Sequence, residues 1–328
     1  MVTTARTSDA EPELIRLMIK VARMYHERGV RQPEIASRLH ISQARVSRLL
    51  KRAGQLNIVR TTVVTPPGVF ADLEELVEQR FGLREVVIAD TGDDVAEQSI
   101  LHSLGAAAAA YLETTLIGGD RIGISSWSST LLASVDAMRP KQTPVAEQVV
   151  QVLGGVGLGS AQEHATRLIG RLAELTGAAP LYLSAPGLVA SSALREALAS
   201  DPSIDSVMSA YERLTMVLMG IGSLEPSALL RASGNAMAER DHAELLAAGA
   251  VGDVCLRFFN ELGEPIRTAL DERVIGISAS TLRAIPRKIG VAGGERKYAA
   301  IRAALRGGWA NILVTDLATA RRLAGEPL

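Results

Sequence analysis

Residues 32–50, QPEIASRLHISQARVSRLL, set two short amphipathic stretches on either side of a break at His40-Ile41. In the first, Ile35, Ala36 and Leu39 recur at helical spacing behind Gln32-Pro33. That pair reads as a cap and a first-turn proline, whose missing N–H costs nothing there. In the second, Ser42 is a good N-cap, able to accept from a free backbone N–H of the turn that follows. At 100° per residue Val46, Leu49, Leu50 and Ala53 form one buried stripe, while Ala44, Ser47, Arg48 and Lys51 fall opposite, flanked by Arg45 and Arg52. Small and hydroxyl side chains permit close approach to a groove, and arginines reach guanine edges or phosphates. The spacing therefore predicts a helix-turn-helix whose residues Gln43, Ala44, Arg45, Ser47, Arg48, Lys51 and Arg52 meet double-stranded DNA. A solvated helix of a small bundle would carry the same apolar stripe; the cap, the short turn and the local charge together favour DNA.

Upstream, ELIRLMIKVARMYHERG (residues 13–29) spaces Leu14, Leu17, Met18, Val21 and Tyr25 by threes and fours and stops at Gly29, a third helix. Downstream, Ile58 to Val64 reads as a strand or wing, completing a winged helix-turn-helix over residues 1–64. Residues 13–60 hold eleven Lys and Arg against three Glu, a local charge of +8. The whole chain of 328 residues carries -1, so the remainder carries -9. A basic head on an acidic body suits a head that meets a polyanion while the body stays off it. Aromatic residues make up only 3% of the chain, which argues against single strands held by stacking.

Thr65-Pro66-Pro67-Gly68 is the clearest linker, and residues 69–328 form the second unit. There short apolar runs alternate with helical stretches. Strands are expected at Glu85 to Ala89, Arg121 to Ser125, Gln148 to Leu153, Leu181 to Ser184, Met216 to Gly220, Val254 to Phe259, Lys288 to Val291 and Asn311 to Thr315. Helices are expected between most of them, among them Val95 to Thr115, Ser128 to Met138, Glu163 to Thr176, Ser191 to Ala199 and Glu295 to Arg306. This alternation implies an α/β fold with a doubly wound, mostly parallel sheet, with an antiparallel excursion turning at Glu261 to Pro265.

Open parallel sheets bind ligands beyond the carboxyl ends of their strands. Four such loops have binding character: Ser125 to Thr130, Gly154 to Gly157, Gly220 to Ser223, and Ala292 to Lys297. The first offers hydroxyls and N–H groups at a helix N-terminus, and the last brings in Lys297, together a setting for a phosphate on a hydroxyl-rich ligand. Singly, such glycines are ordinary tight turns and a lone lysine is ordinarily solvated; repetition at equivalent strand ends favours one site. The run from Gly155 to Ser160 lacks the third glycine of a dinucleotide fingerprint, so no nicotinamide cofactor is expected. His26, His40, His102, His164 and His242 are scattered without metal-ligand spacing, and Cys255 lies in a strand pattern, packed instead of nucleophilic. No metal and no cofactor are expected. No apolar run reaches the length of a membrane span, and the first dozen residues lack the core of a signal peptide, which predicts a cytoplasmic protein.

From about Leu14 to Leu323 the chain resembles the SorC/DeoR-type transcriptional regulators, which join a helix-turn-helix to a sugar-binding domain. GISSWSSTL, VVQVLGGVG, APGLV, VLMGIGS, GAVGDVCLRFFNELGEPI, ERVIGIS, VAGGERKYAAIRAAL and ANILVTDLATA occur in the family's order. The resemblance implies a body like the sugar-phosphate isomerases and deaminases, used to sense a sugar or sugar phosphate and control a carbohydrate-utilisation operon, in a homodimer or homotetramer. By motif it implies an effector site of Ser126, Trp127, Ser129, Thr130, Gly154, Gly155, Asp253 and Lys297. Two departures stand out: Thr215 where the family often has an acidic residue, and Ser128 where glycine is common. The first implies the loss of a carboxylate from the site. The competing reading is an isomerase or deaminase with an accessory DNA-binding head, which would need a positioned acid and base that these loops do not display.

Overall fold

The computed structural model describes residues 12–59, 66, 68–92, 96–156, 159–225 and 237–325. The chain divides into two compact units, Met1–Thr65 and Pro66–Leu328.

The first unit contains α1 (Pro12–His26), α2 (Gln32–Leu39) and α3 (Gln43–Gln55). Met18, Val21, Ala22 and Met24 of α1 pack with Ile35 and Ala36 of α2 and with Val46, Leu49 and Ala53 of α3 into one small core. Tyr25, expected inside, is 39% exposed, its ring edge-on to His26, so that the phenol keeps its hydroxyl in water. The cap of α2 is Arg31, one residue earlier than expected, with Pro33 in the first turn. His40 closes α2 in the left-handed region at φ +52°, and Ile41 N–H returns to Ala36 O at 3.0 Å. Ser42 Oγ then accepts from Arg45 N–H at 3.2 Å and starts α3. Ile58 and Val59 form a bend, and the rest of the expected wing, Arg60 to Val64, lies outside the described residues.

The second unit opens with α4 (Ala71–Phe81), β1 (Glu85–Ala89), α5 (Glu97–Thr115), β2 (Asp120–Ile124) and α6 (Ser129–Ala137). It continues with β3 (Ala146–Gln151), α7 (Gly159–Thr176), β4 (Ala179–Leu181), α8 (Ser192–Ala199), α9 (Pro202–Ser209) and β5 (Met216–Gly220). Then come β6 (Gly222–Ser223), α10 (Glu239–Ala247), β7 (Ala250–Val254), β8 (Arg257–Asn260) and α11 (Ala279–Ala284). The last elements are β9 (Arg287–Val291), α12 (Tyr298–Arg306), β10 (Ile312–Asp316) and α13 (Leu317–Gly325).

Seven strands form one sheet in the order β1-β10-β9-β5-β2-β3-β4, every neighbouring pair parallel. Alternate residues of one strand feed opposite cores: Val217 and Met219 of β5 enter one cluster, Met216 and Leu218 the other. Burial on both faces is why these strands read as continuous apolar runs. At the β1 edge, Glu78 and Glu74 of α4 accept from Val86 and Ile88 N–H at 2.8 and 2.9 Å, so the open edge is closed by carboxylates.

The run Val254 to Phe259 is not one strand. It reverses at Cys255 and Leu256, both left-handed at φ +54° and +57°, making β7 and β8 a tight antiparallel hairpin that pairs with β6. Two consecutive positive φ values are the geometry of a two-residue hairpin turn, normally filled by Asn-Gly. Here burial of both side chains and the Asp253 carboxylate, which accepts Leu256 N–H at 3.0 Å, hold it in place of turn chemistry. Cys255 is packed, as expected, but in a turn. The Glu261 to Pro265 reversal is present too, with Phe259 bridged antiparallel to Pro265.

Candidate functional sites

All seven residues singled out on α3, Gln43, Ala44, Arg45, Ser47, Arg48, Lys51 and Arg52, are exposed; of the stripe behind them Val46, Leu49 and Ala53 are buried and Leu50 is half-buried. Their cations stand unneutralised. Arg23 pairs with Glu27 just past the end of α1 and Arg38 with Glu34 on α2, whereas among the described residues Arg45, Arg48, Lys51 and Arg52 make no ion pair. Arg48 Nε instead donates to Ala44 O at 3.3 Å. The face is a positive, carboxylate-free helix surface with small side chains between its cations, which is what close contact with a phosphate-lined groove requires.

In the second unit the chain leaves β2 towards β3 and β4 on one side and β5 towards β9 and β10 on the other, so the adjacent β2 and β5 mark the point where the winding reverses. A crevice at such a point is unavoidable, because successive crossovers depart in opposite directions. The loops after β2, β5 and β9 and the β7-β8 turn line one cleft there.

Trp127, Ser129, Thr130, Asp253 and Lys297 all line it. The remaining three expected residues do not, and each has another occupation. Ser126 is buried with its hydroxyl given to Leu153 O at 3.3 Å. Gly154 and Gly155 lie behind the lining: a Cβ on Gly154 would sit 2.4 Å from Pro186 O, and one on Gly155 would sit 2.6 Å from Trp127 Cζ2. They are small so that backbone and indole can pack, and Gly154 O accepts from Trp127 Nε1 at 3.1 Å, fixing the ring. Gly157 lies outside the described residues. Thr215 is also far from the cleft, at the opposite, amino end of β5. Its hydroxyl donates to Asp120 Oδ1 at 2.8 Å and accepts from Arg121 N–H at 3.1 Å. The expected loss of a ligand-binding carboxylate at Thr215 is therefore incorrect. Ser128 does line the cleft and caps α6, accepting from Leu131 N–H at 3.3 Å.

Six lining residues fall outside the loops and site residues singled out in the sequence: Glu97 at the start of α5, Leu101, Leu153, Glu225 after β6, Cys255 and Leu256. Glu225 follows the β5 loop by two residues and Glu97 opens the helix after β1, and only the fold brings the two carboxylates to one cleft.

Asp253 and Lys297 both line the cleft and attract one another across it. Burial pushes the Asp253 carboxyl up to about 6, against the hydrogen bond from Leu256 N–H and the attraction of Lys297. Burial, then the neighbouring Arg296, lowers the Lys297 ammonium. Both groups thus pay desolvation that a polar ligand would relieve. The Cys255 thiol is pushed up to about 12, chiefly by burial, and is no nucleophile at neutral pH. The β9 loop is held from behind: Asp316 Oδ2 accepts from Gly294 N–H at 2.7 Å and from Thr319 Oγ1 at 2.6 Å. No helix among the described residues is long and apolar enough to cross a membrane.

Residues 66–324 match the Sugar-bind family of sugar-binding domains. The chain is 34% identical to the deoxyribonucleoside regulator of Bacillus subtilis, covering 94% of this chain and 97% of that one. It is 31% identical to the sorbitol operon regulator of Klebsiella pneumoniae, covering 94% and 98%. The crystal structure of the latter at full length superposes with a TM-score of 0.72 over 97% of this chain and 100% of that one, at 30% identity. The sugar-binding domain of a regulator from Pseudomonas syringae pv. tomato gives a TM-score of 0.62 at 36% identity, covering 78% of this chain and 99% of that one.

Proposed function

The chain belongs to the SorC/DeoR-type transcriptional regulators, and we propose that it is a DNA-binding regulator of a carbohydrate-utilisation operon whose sugar or sugar-phosphate effector occupies the cleft at the carboxyl ends of β2, β5 and β9. The observation that carries this reading is the convergence of the strand-end loops on one pocket that holds the start of α6 and Lys297, which makes no ion pair among the described residues. In the proposed complex the phosphate takes the backbone N–H groups at the α6 N-terminus and the Lys297 ammonium. The hydroxyls of Ser129 and Thr130 and the Asp253 carboxylate take sugar hydroxyls, and the Trp127 indole supplies the apolar floor.

Gln43, Ala44, Arg45, Ser47, Arg48, Lys51 and Arg52 are the proposed DNA contacts, in the cytoplasm, in a homodimer or homotetramer. Two heads held by symmetry multiply a modest single-head affinity, and an effector that changes how protomers are arranged changes whether the heads match two half-sites. A coupling of about 1–3 kcal/mol is enough for a several-fold to hundred-fold response.

We further infer that the cleft senses its ligand without converting it. Isomerisation or deamination needs a proton acceptor with a second group to return the proton. Among the described residues no histidine lines the cleft, and the relatives at 34% and 31% identity are named as regulators. Turnover of glucosamine-6-phosphate or ribose-5-phosphate above a Lys297→Ala control would reverse this inference.

The test is fluorescence anisotropy of the full chain on its own labelled upstream DNA, at two salt concentrations, with a panel of sugars and sugar phosphates. Salt-sensitive binding that one compound shifts is expected. Binding indifferent to every compound would remove the effector assignment.

A further inference from the structure

The rim of the cleft carries a charge arrangement that its floor does not explain. Arg296 Nη2 lies 3.2 Å from Glu97 Oε1, and Arg296 Nη1 lies 3.9 Å from Glu225 Oε2 and 3.5 Å from the Glu225 carbonyl oxygen. These three side chains are 41%, 83% and 78% exposed, so they form the mouth, above the buried Trp127 and Thr130. Glu97 belongs to the start of α5, Glu225 follows β6, and Arg296 precedes α12, so three separate segments of the chain meet at the guanidinium. Among the described residues Lys297 is the only other cation lining the cleft, and it makes no ion pair there. The cleft therefore holds two cations of unequal availability.

We propose that Arg296, held across the cleft mouth by Glu97 and Glu225, selects an effector with one phosphate and rejects a bisphosphate. This rests on the reading of the cleft as a sugar-phosphate site. One phosphate is served by Lys297 and the α6 N-terminus. A second, at the far end of the sugar, would meet a trio with two negative charges and one positive. To reach the guanidinium it would have to displace a carboxylate that stays tethered beside it. Exposed pairs such as these are individually weak, so the discrimination comes from the sign of the local field. The carboxylates act less by holding the arginine than by repelling the wrong ligand.

The experiment is isothermal titration calorimetry of the full chain with matched pairs: fructose-6-phosphate against fructose-1,6-bisphosphate, and ribose-5-phosphate against ribulose-1,5-bisphosphate, with inorganic phosphate as the sugar-free probe. The same titrations are made on the Glu97→Gln/Glu225→Gln double variant, whose replaced side chains are exposed and carry no core packing. The native chain is expected to favour the monophosphate of a pair by about tenfold or more, and the double variant to bring that ratio close to parity by freeing Arg296. A bisphosphate bound by the native chain as tightly as its monophosphate overturns the proposal. So does a ratio that the double variant leaves unchanged. Failure of every phosphate, inorganic phosphate included, to bind refutes the underlying phosphate site, and the selectivity falls with it.

Discussion

Asp253 is the residue whose chemistry is most exposed to test. Its carboxyl titrates near 6 in the fold and near the ordinary 3.8 in the unfolded chain, so between those values the folded state binds the extra proton. For this group, stability rises as pH falls from neutrality towards about 4, and the ionised form costs the fold at most ~3 kcal/mol above pH 6. Asp253→Asn, which keeps an acceptor for Leu256 N–H, should therefore raise the Tm at about pH 7.5, with the advantage roughly halved by about pH 5. An equal or lower Tm at the higher pH would show that Lys297 outweighs the burial. On the other unit, Arg48→Ala should lose roughly 1–3 kcal/mol of operator affinity, about tenfold or more, because an arginine on a base edge or phosphate is not replaced by water. Anisotropy at fixed salt reads this directly, and unchanged affinity would move the recognition surface off this part of α3.

At the level of elements, the starts of helices and one close approach matter most. Ser42 satisfies a first-turn N–H of α3 at 3.2 Å, so Ser42→Ala should cost the head about 1 kcal/mol, measured as a shifted denaturation midpoint, and Ser42→Asp should recover most of it. Gly155 lets the β3 loop pass beneath the Trp127 ring with no room for a methyl group. Gly155→Ala should destabilise the body by roughly 1–3 kcal/mol as the indole is pushed from its bond to Gly154 O. A variant as stable as the native chain would mean that the ring moves freely, which would remove Trp127 as a fixed floor. The same two elements mark what was legible. The cap of α3 could be read from Ser42 and its apolar stripe, since capping is local. The place of Gly154 and Gly155 behind the cleft, instead of on it, could not, since what a glycine must avoid is set by Trp127 and Pro186 in other segments.

For the whole molecule, two compact units with separate cores predict separable responses. A bound sugar phosphate should raise the calorimetric transition of the body, by an amount growing with the logarithm of ligand concentration, and leave that of the head in place. Both moving together by the same amount would mean that the units unfold as one.

Periodicity, capping and charge, all properties of neighbouring residues, were enough to establish the basic three-helix head, the alternation of strands and helices, the parallel sheet, and three of the strand-end loops that line the cleft. The mean positions of β1, β5, β9 and β10 follow from runs of apolar residues, because a strand buried on both faces must be apolar throughout. What needed the tertiary structure were features that depend on who faces whom. Cys255 and Leu256 turn a hairpin without turn residues because burial and the Asp253 carboxylate hold them. Thr215 binds Asp120 at the wrong end of the sheet for a ligand. Glu97 and Glu225 reach Arg296 from 199 and 71 residues away. Local rules fix where a strand ends, but the cleft beyond it is made of contacts between strand ends, and only the winding order of the sheet decides which ends meet.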